Sequence, residues 1–171
     1  MATLDSTFRS VPRREDTRRT MAGYATGITV VAAAVNGRIA GLSANSFTSV
    51  SLEPPLASVA FDRSSTTWPI LRQASRWGVS VLGEGAGGVL RSMRRPAAHR
   101  FDGIDVRVAE DGAAFIDGAL ATLTVEAHRE IDAGDHVLTL LRVLDLHRDD
   151  RQRPLVFFGS AIHRLVDEAL D

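Results

Sequence analysis

Residues 28–43 read ITVVAAAVNGRIAGLS, two apolar runs on either side of Asn36-Gly37. The first run, Ile28 to Val35, is rich in β-branched residues and alanine. Asn and Gly both tolerate positive φ, and an Asn-Gly pair between apolar runs is the strongest short hairpin signal. The sequence therefore predicts a strand over Ile28–Val35, a two-residue turn, and a return strand from about Arg38 to Ser43.

Downstream, Leu56 to Phe61 is another short apolar run. Pro54-Pro55 before it cannot donate ladder hydrogen bonds and belong at a strand start. Ser64-Ser65-Thr66-Thr67 are N-capping types ahead of a helix reaching about Ala74, with Pro69 in its first turn. Trp77–Leu82 reads as a strand, Gly83–Gly88 as a loop, Val89–Arg95 as a short helix and Ile104–Val108 as a strand. Over Leu120–Ile131, Ala121, Leu123, Val125, Ala127 and Ile131 alternate with polar residues, which predicts a strand with one wet face. After a turn at Ala133-Gly134, Val137–Leu146 is apolar on both faces. In so small a protein that implies a core on one side and a subunit interface on the other. Leu155–Phe158 and Ile162–Val166 complete the strands.

Upstream, Pro12 to about Tyr24 reads as a helix, with Glu15 and Asp16 near its positive end. Its Arg13, Arg14, Arg18 and Arg19 suit either a phosphate patch or a solvated face with Glu15 and Arg19 spaced to pair. Residues 1–11 read as an N-terminal arm and 12–171 as one domain. Such antiparallel hairpins with about three short helices make a mainly β chain and favour a closed barrel over a doubly wound sheet.

Composition narrows the chemistry. The chain has 171 residues and a net charge of −1, so no global field draws it to nucleic acid or membrane. It has no Cys, which excludes thiolate nucleophiles and Cys-ligated metals, and every basic chain other than His is Arg. The absence of Lys excludes a Schiff-base lysine and a P-loop. The histidines show no metal-ligand spacing, so no metal is expected. Redox chemistry would need an organic cofactor. No apolar run reaches transmembrane length, and no signal-peptide core is visible, so the cytoplasm is the default expectation.

Three segments offer functional groups. Gly41–Ser51 carries Ser43, Asn45, Ser46, Thr48, Ser49 and Ser51 with little charge. These neutral donors and acceptors suit a planar heteroaromatic ring, or they satisfy one another in a Ser/Thr-rich strand and turn. Asp62-Arg63-Ser64-Ser65-Thr66 suits either an anion at a helix start or plain capping. Asp135 beside His136 can fix the imidazole tautomer, in a structural or a catalytic setting.

Taken in series, these residues resemble the short-chain flavin reductases of two-component flavin-dependent monooxygenases. The likeness runs from about Phe8 to Leu165. It rests on Tyr24-Ala25-Thr26-Gly27-Ile28-Thr29-Val30-Val31, then Gly41 through Pro55, which is the specific block, then Asp62 to Thr66. His99-Arg100-Phe101-Asp102-Gly103, Gly134-Asp135-His136 and Pro154-Leu155-Val156-Phe157 follow in order. The resemblance implies a Greek-key antiparallel split β-barrel and a homodimer with flavin near the subunit interface. It implies hydride transfer from NADH, with NADPH possible, to FAD or FMN. The reduced flavin would serve a separate monooxygenase component. By similarity, Leu42, Ser43, Ala44, Asn45 and Ser46 line the flavin ring, and Ser49, Val50 and Ser51 help hold ring and ribityl chain. Asp62, Arg63, Ser64 and Ser65 form the phosphate end. His136 lies by the nicotinamide, and Gly159 and Ser160 border that pocket. Ala161-Ile162 stand where the family often has an Arg-Tyr pair. An oxidase on the same barrel and a non-catalytic flavin-binding protein are the alternatives.

Overall fold

The computed structural model describes residues 11–165. Of the expected N-terminal arm only the exposed Val11 falls within them, and Val166, the last residue of the final expected strand, lies outside. The chain runs through α1 (Arg14–Met21), β1 (Thr29–Val35), β2 (Arg38–Ala44), β3 (Thr48–Leu52) and β4 (Pro55–Asp62). Next come α2 (Trp68–Leu71), β5 (Trp77–Val81), α3 (Gly87–Ser92) and a 3-10 turn at Ala97–His99. Then follow β6 (Val106–Val108), β7 (Ala114–Ile116), β8 (Ala121–Ala133), β9 (His136–Arg148), β10 (Leu155–Phe158) and β11 (Ala161–Arg164).

The opening hairpin forms as its sequence demands. β1 and β2 pair from Thr29↔Ala44 to Val35↔Arg38. Asn36 and Gly37 turn the chain at φ 50° and 76°, which this pair supports at little steric cost. The hairpin sits at one end of a seven-stranded sheet ordered β2-β1-β5-β8-β9-β4-β3, with every neighbouring pair antiparallel. The edge strands β2 and β3 do not pair with each other, so the sheet curls into a split rather than a closed barrel. Residues 45–47 cross from one edge strand to the other. Ser46 helps hold this crossing: its hydroxyl accepts from Ala60 N at 3.1 Å and donates to Ala60 O at 3.2 Å.

Alternate residues of β1 enter two cores. Val31 and Ala33 join Val59, Phe61, Trp77, Val79, Val125 and Leu141 inside the curled sheet, closed by Trp68 and Leu71 of α2. Phe61 stacks on Trp68 with ring centroids 4.0 Å apart, and Trp77 meets both edge-on. Val30 and Ala32 face the other way, into a layer with Ile28, Leu82, Met93, Ala114, Ile116 and Leu155. Burial on both faces accounts for the apolar continuity of this strand.

Some elements depart from the pattern. The β8–β9 ladder shifts register twice, leaving Leu144 of β9 unpaired at the first shift and His128 of β8 at the second. The extra residue in β8 breaks its period of two. Leu123 and Val125 face the inner core, whereas Ala127 and Ile131, expected on the same face, are exposed. The helix expected to reach Ala74 is a single turn ending at Leu71, and α1 is shorter than expected at both ends. On α1, Arg19 pairs with Asp16 at 3.4 Å rather than with Glu15. β3 and β7 carry no strand pattern of their own, being short and rich in Ser or bounded by Gly.

Candidate functional site

The end of β2 and its continuation form one wall of a cleft of about 270 Å³. Leu42, Ser43, Ala44, Asn45 and Ser46 line it, together with Ala60, Phe61, Asp62, Ser65, Arg100 and His136. The topology brings these distant residues together. β4 runs beside β9 with Asp62 opposite His136, so the two strands deliver both side chains to one end of the sheet. Gly41 lets β2 approach closely: a Cβ there would lie 2.7 Å from Ala32 Cβ, Phe101 Cζ and Val31 O.

The wall residues are unequally committed. Ser43 and Asn45 make no side-chain hydrogen bond among the described residues, whereas the Ser46 hydroxyl is engaged by Ala60. Leu42 and Ala44 pack against the inner core. A free hydroxyl and a free amide on a strand end, in a cleft that Phe61 also lines, are a donor set that fits the imide edge of a flavin ring. A larger cleft of about 790 Å³ continues past Asn45 and Ser46 to Phe47, Tyr24, Thr26, Phe157 and Ser160. Together the two clefts reach the size of a cofactor site.

The Asp62–Ser65 segment satisfies itself. Ser64 donates to Asp62 Oδ1 from its hydroxyl at 2.6 Å and from its backbone N at 2.7 Å. These bonds, with a smaller contribution from the charge of His136, hold the Asp62 carboxyl below its ordinary pKa. Ser65 Oγ accepts from Thr67 N and Trp68 N, capping α2. Arg63 does not line the cleft; it turns to the β8–β9 hairpin, where it meets Gly134 O and the Asp132 carboxylate.

His136 Nδ1 lies 2.7 Å from Asp135 Oδ1. That contact is the chief reason the Asp135 carboxyl sits below its usual range. With Nδ1 held, Nε2 is left without a partner among the described residues. Ser49, Val50 and Ser51 lie on β3, at a bulge, and do not line the cleft. Gly159 and Ser160 make the β10–β11 turn at φ 58° and 63°; Ser160 borders the larger cleft and Gly159 a neighbouring one beneath α1.

Ala60, Phe61 and Arg100 line the cleft without standing among the expected site residues, and of these Arg100 alone is charged. Its Nη1 donates to Gly41 O at 3.1 Å and to Thr67 Oγ1 at 3.0 Å, and Nε donates to Arg95 O. It forms no ion pair with a carboxylate among the described residues, so its positive charge stands in the cleft beside the Asp62 carboxylate. Its only signal was its place in the His99–Gly103 block.

Comparison with known proteins identifies the family. The family model for the flavin reductase like domain matches residues 21–165. A flavin reductase of Pseudomonas putida is 33% identical over 142 residues, 82% of this chain and 84% of that one. The reductase component of 4-hydroxyphenylacetate 3-monooxygenase from Thermus thermophilus is 33% identical over 90% of this chain and 97% of its own. Among solved structures, the NADH:FAD oxidoreductase of Streptomyces globisporus, in complex with NAD and FAD fragments, superposes with a TM-score of 0.85. It is 30% identical and covered to 99% in both chains. With its split barrel and its cleft at the β2 end, the chain belongs to the flavin reductase like domain family.

Proposed function

We propose that this protein is an NAD(P)H:flavin oxidoreductase that reduces FAD or FMN with NADH and supplies the reduced flavin to a separate monooxygenase component. The observation that carries the proposal is the gathering of Ser43, Asn45, Arg100 and His136 around one cleft. When bound, the cofactor pair supplies the hydride chemistry, from nicotinamide C4 to flavin N5. The protein's part is to bind and orient. Ser43 and Asn45 hold the polar ring edge, and Leu42 and Phe61 bound the apolar surface. Arg100 places a fixed positive charge where negative charge gathers on reduction. His136, with Asp135 on Nδ1, presents Nε2 to the nicotinamide. No nucleophile is required, in keeping with a chain that lacks Cys and Lys.

The same reading makes the active form a homodimer. β9 turns Leu138 and Leu140, half-buried, away from the inner core, exposed Leu144 stands at the register shift beyond them, and Val50 and Leu52 are exposed on β3. Such a face calls for a partner. Sedimentation should give twice the chain mass, and Leu140→Arg should give the monomer. No helix among the described residues is long and apolar enough to cross a membrane. The proposed setting is the cytoplasm, where reduced nicotinamide is replenished.

The test is NADH and NADPH oxidation by the purified protein, with FMN and FAD supplied separately. Turnover with at least one pair is expected; none with any pair would end the reductase reading.

A further inference from the structure

We infer that Arg63 is a positioning residue for His136, acting through the β8–β9 turn, and not a ligand of the flavin phosphate. The inference rests on the reductase reading for what His136 does. Arg63 follows the last residue of β4, whose partner across the ladder is His136. Its backbone N donates to Asp135 O at 3.0 Å, its Nε donates to Gly134 O at 3.1 Å, and its Nη2 pairs with the Asp132 carboxylate. All three contacts fall on residues 132–135, immediately before His136. Neither Arg63 nor Ser64 lines the cleft, whereas His136 does.

The backbone ladders reach this turn from both sides, with Ala133 and Asp62 each opposite His136. Beyond them its side chains face solvent: those of Asp132 and Asp135 are 90% and 77% exposed, and Gly134 sits at φ 66°. Side chains at such a tip move readily unless something ties them down. Arg63 ties it to the end of β4, and so fixes where Asp135 and the imidazole stand relative to the Ser43–Asn45 wall.

FMN and riboflavin differ by the phosphate alone, which separates the two roles. Binding and single-turnover reduction by NADH are measured for the wild type, Arg63→Ala, His136→Ala and the double variant. Arg63→Ala should slow reduction about tenfold while Kd for both flavins stays within about twofold, a loss confined to the reacting state. The double variant should be no slower than His136→Ala, because residues acting as one unit are not additive. Asp132→Ala should reproduce part of the loss. A Kd that rises for FMN but not for riboflavin would make Arg63 a phosphate ligand, and additive rate losses would separate it from His136; either overturns the inference. If the wild type reduces no flavin, the reductase reading falls and the clamp is judged by the His136 imidazole NMR signal. A signal that Arg63→Ala leaves unmoved rejects the clamp, and a displaced one supports it.

Discussion

The two polar segments that flank the cleft, Ser43–Ser46 and Asp62–Ser65, resemble each other on paper. Each offers hydroxyls beside stronger groups, Asn45 in the first and Asp62 and Arg63 in the second. In the fold they behave differently. The first leaves Ser43 and Asn45 free and spends only Ser46 on the frame. The second is consumed internally: Ser64 on Asp62, Ser65 on the start of α2, Arg63 on the neighbouring hairpin. Residue type states what a segment can bind. Whether the groups remain available depends on what the next strand or helix asks of them.

This contrast can be broken from either side. The largest effect is expected at the base of the free segment. Gly41→Val puts a branched side chain where even a Cβ has three neighbours at 2.7 Å. Overpacking of this kind should cost about 3 kcal/mol and be visible as a lower denaturation midpoint. Asn45→Ala should leave the midpoint nearly unchanged but weaken flavin binding about tenfold, the worth of one or two buried hydrogen bonds. A wild-type Kd in that variant would show that the free amide is idle. Ser65→Ala should do the reverse, costing about 1 kcal/mol of stability through the lost cap with flavin affinity little changed.

The smallest effect is a pH limb. The Asp62 and Asp135 carboxyls are held below the ordinary value of 3.8, so the unfolded chain binds more protons than the folded one in that region. Their contribution to stability is complete above pH 3.8 and is lost as pH falls through the folded values. Between pH 5 and 8 it should be flat. Asp62→Asn should flatten the acid limb of a denaturation series, and an unchanged limb would mean the Ser64 bonds contribute nothing to folding.

Much of the fold was legible because its signals are local. Asn36-Gly37 declares its own turn, and the β1 run announces burial on both faces. The closure of the barrel was not legible, because it depends on whether β2 and β3 pair, and no residue in either strand states that. The register shifts between β8 and β9 were hidden for a similar reason. The alternation from Ala121 to Ile131 looks unbroken until the partner strand fixes the register, which then places Ile131 in the open. At the site, the wall at Leu42–Ser46 could be read from composition and resemblance together. Arg100 could not, since its role comes from Gly41 and Thr67, 59 and 33 residues away in the chain.

The aromatic cluster under the cleft has a practical consequence. The chain has two tryptophans, and both belong to it, 5% and 1% exposed. Phe61, stacked on Trp68, is also a wall of the cleft. The protein's whole indole emission thus originates within a side chain or two of the place where a yellow chromophore would sit. A bound flavin would accept that excitation and dim it. The fold carries its own optical gauge of occupancy, and flavin arrival and departure could be timed in the unlabelled protein.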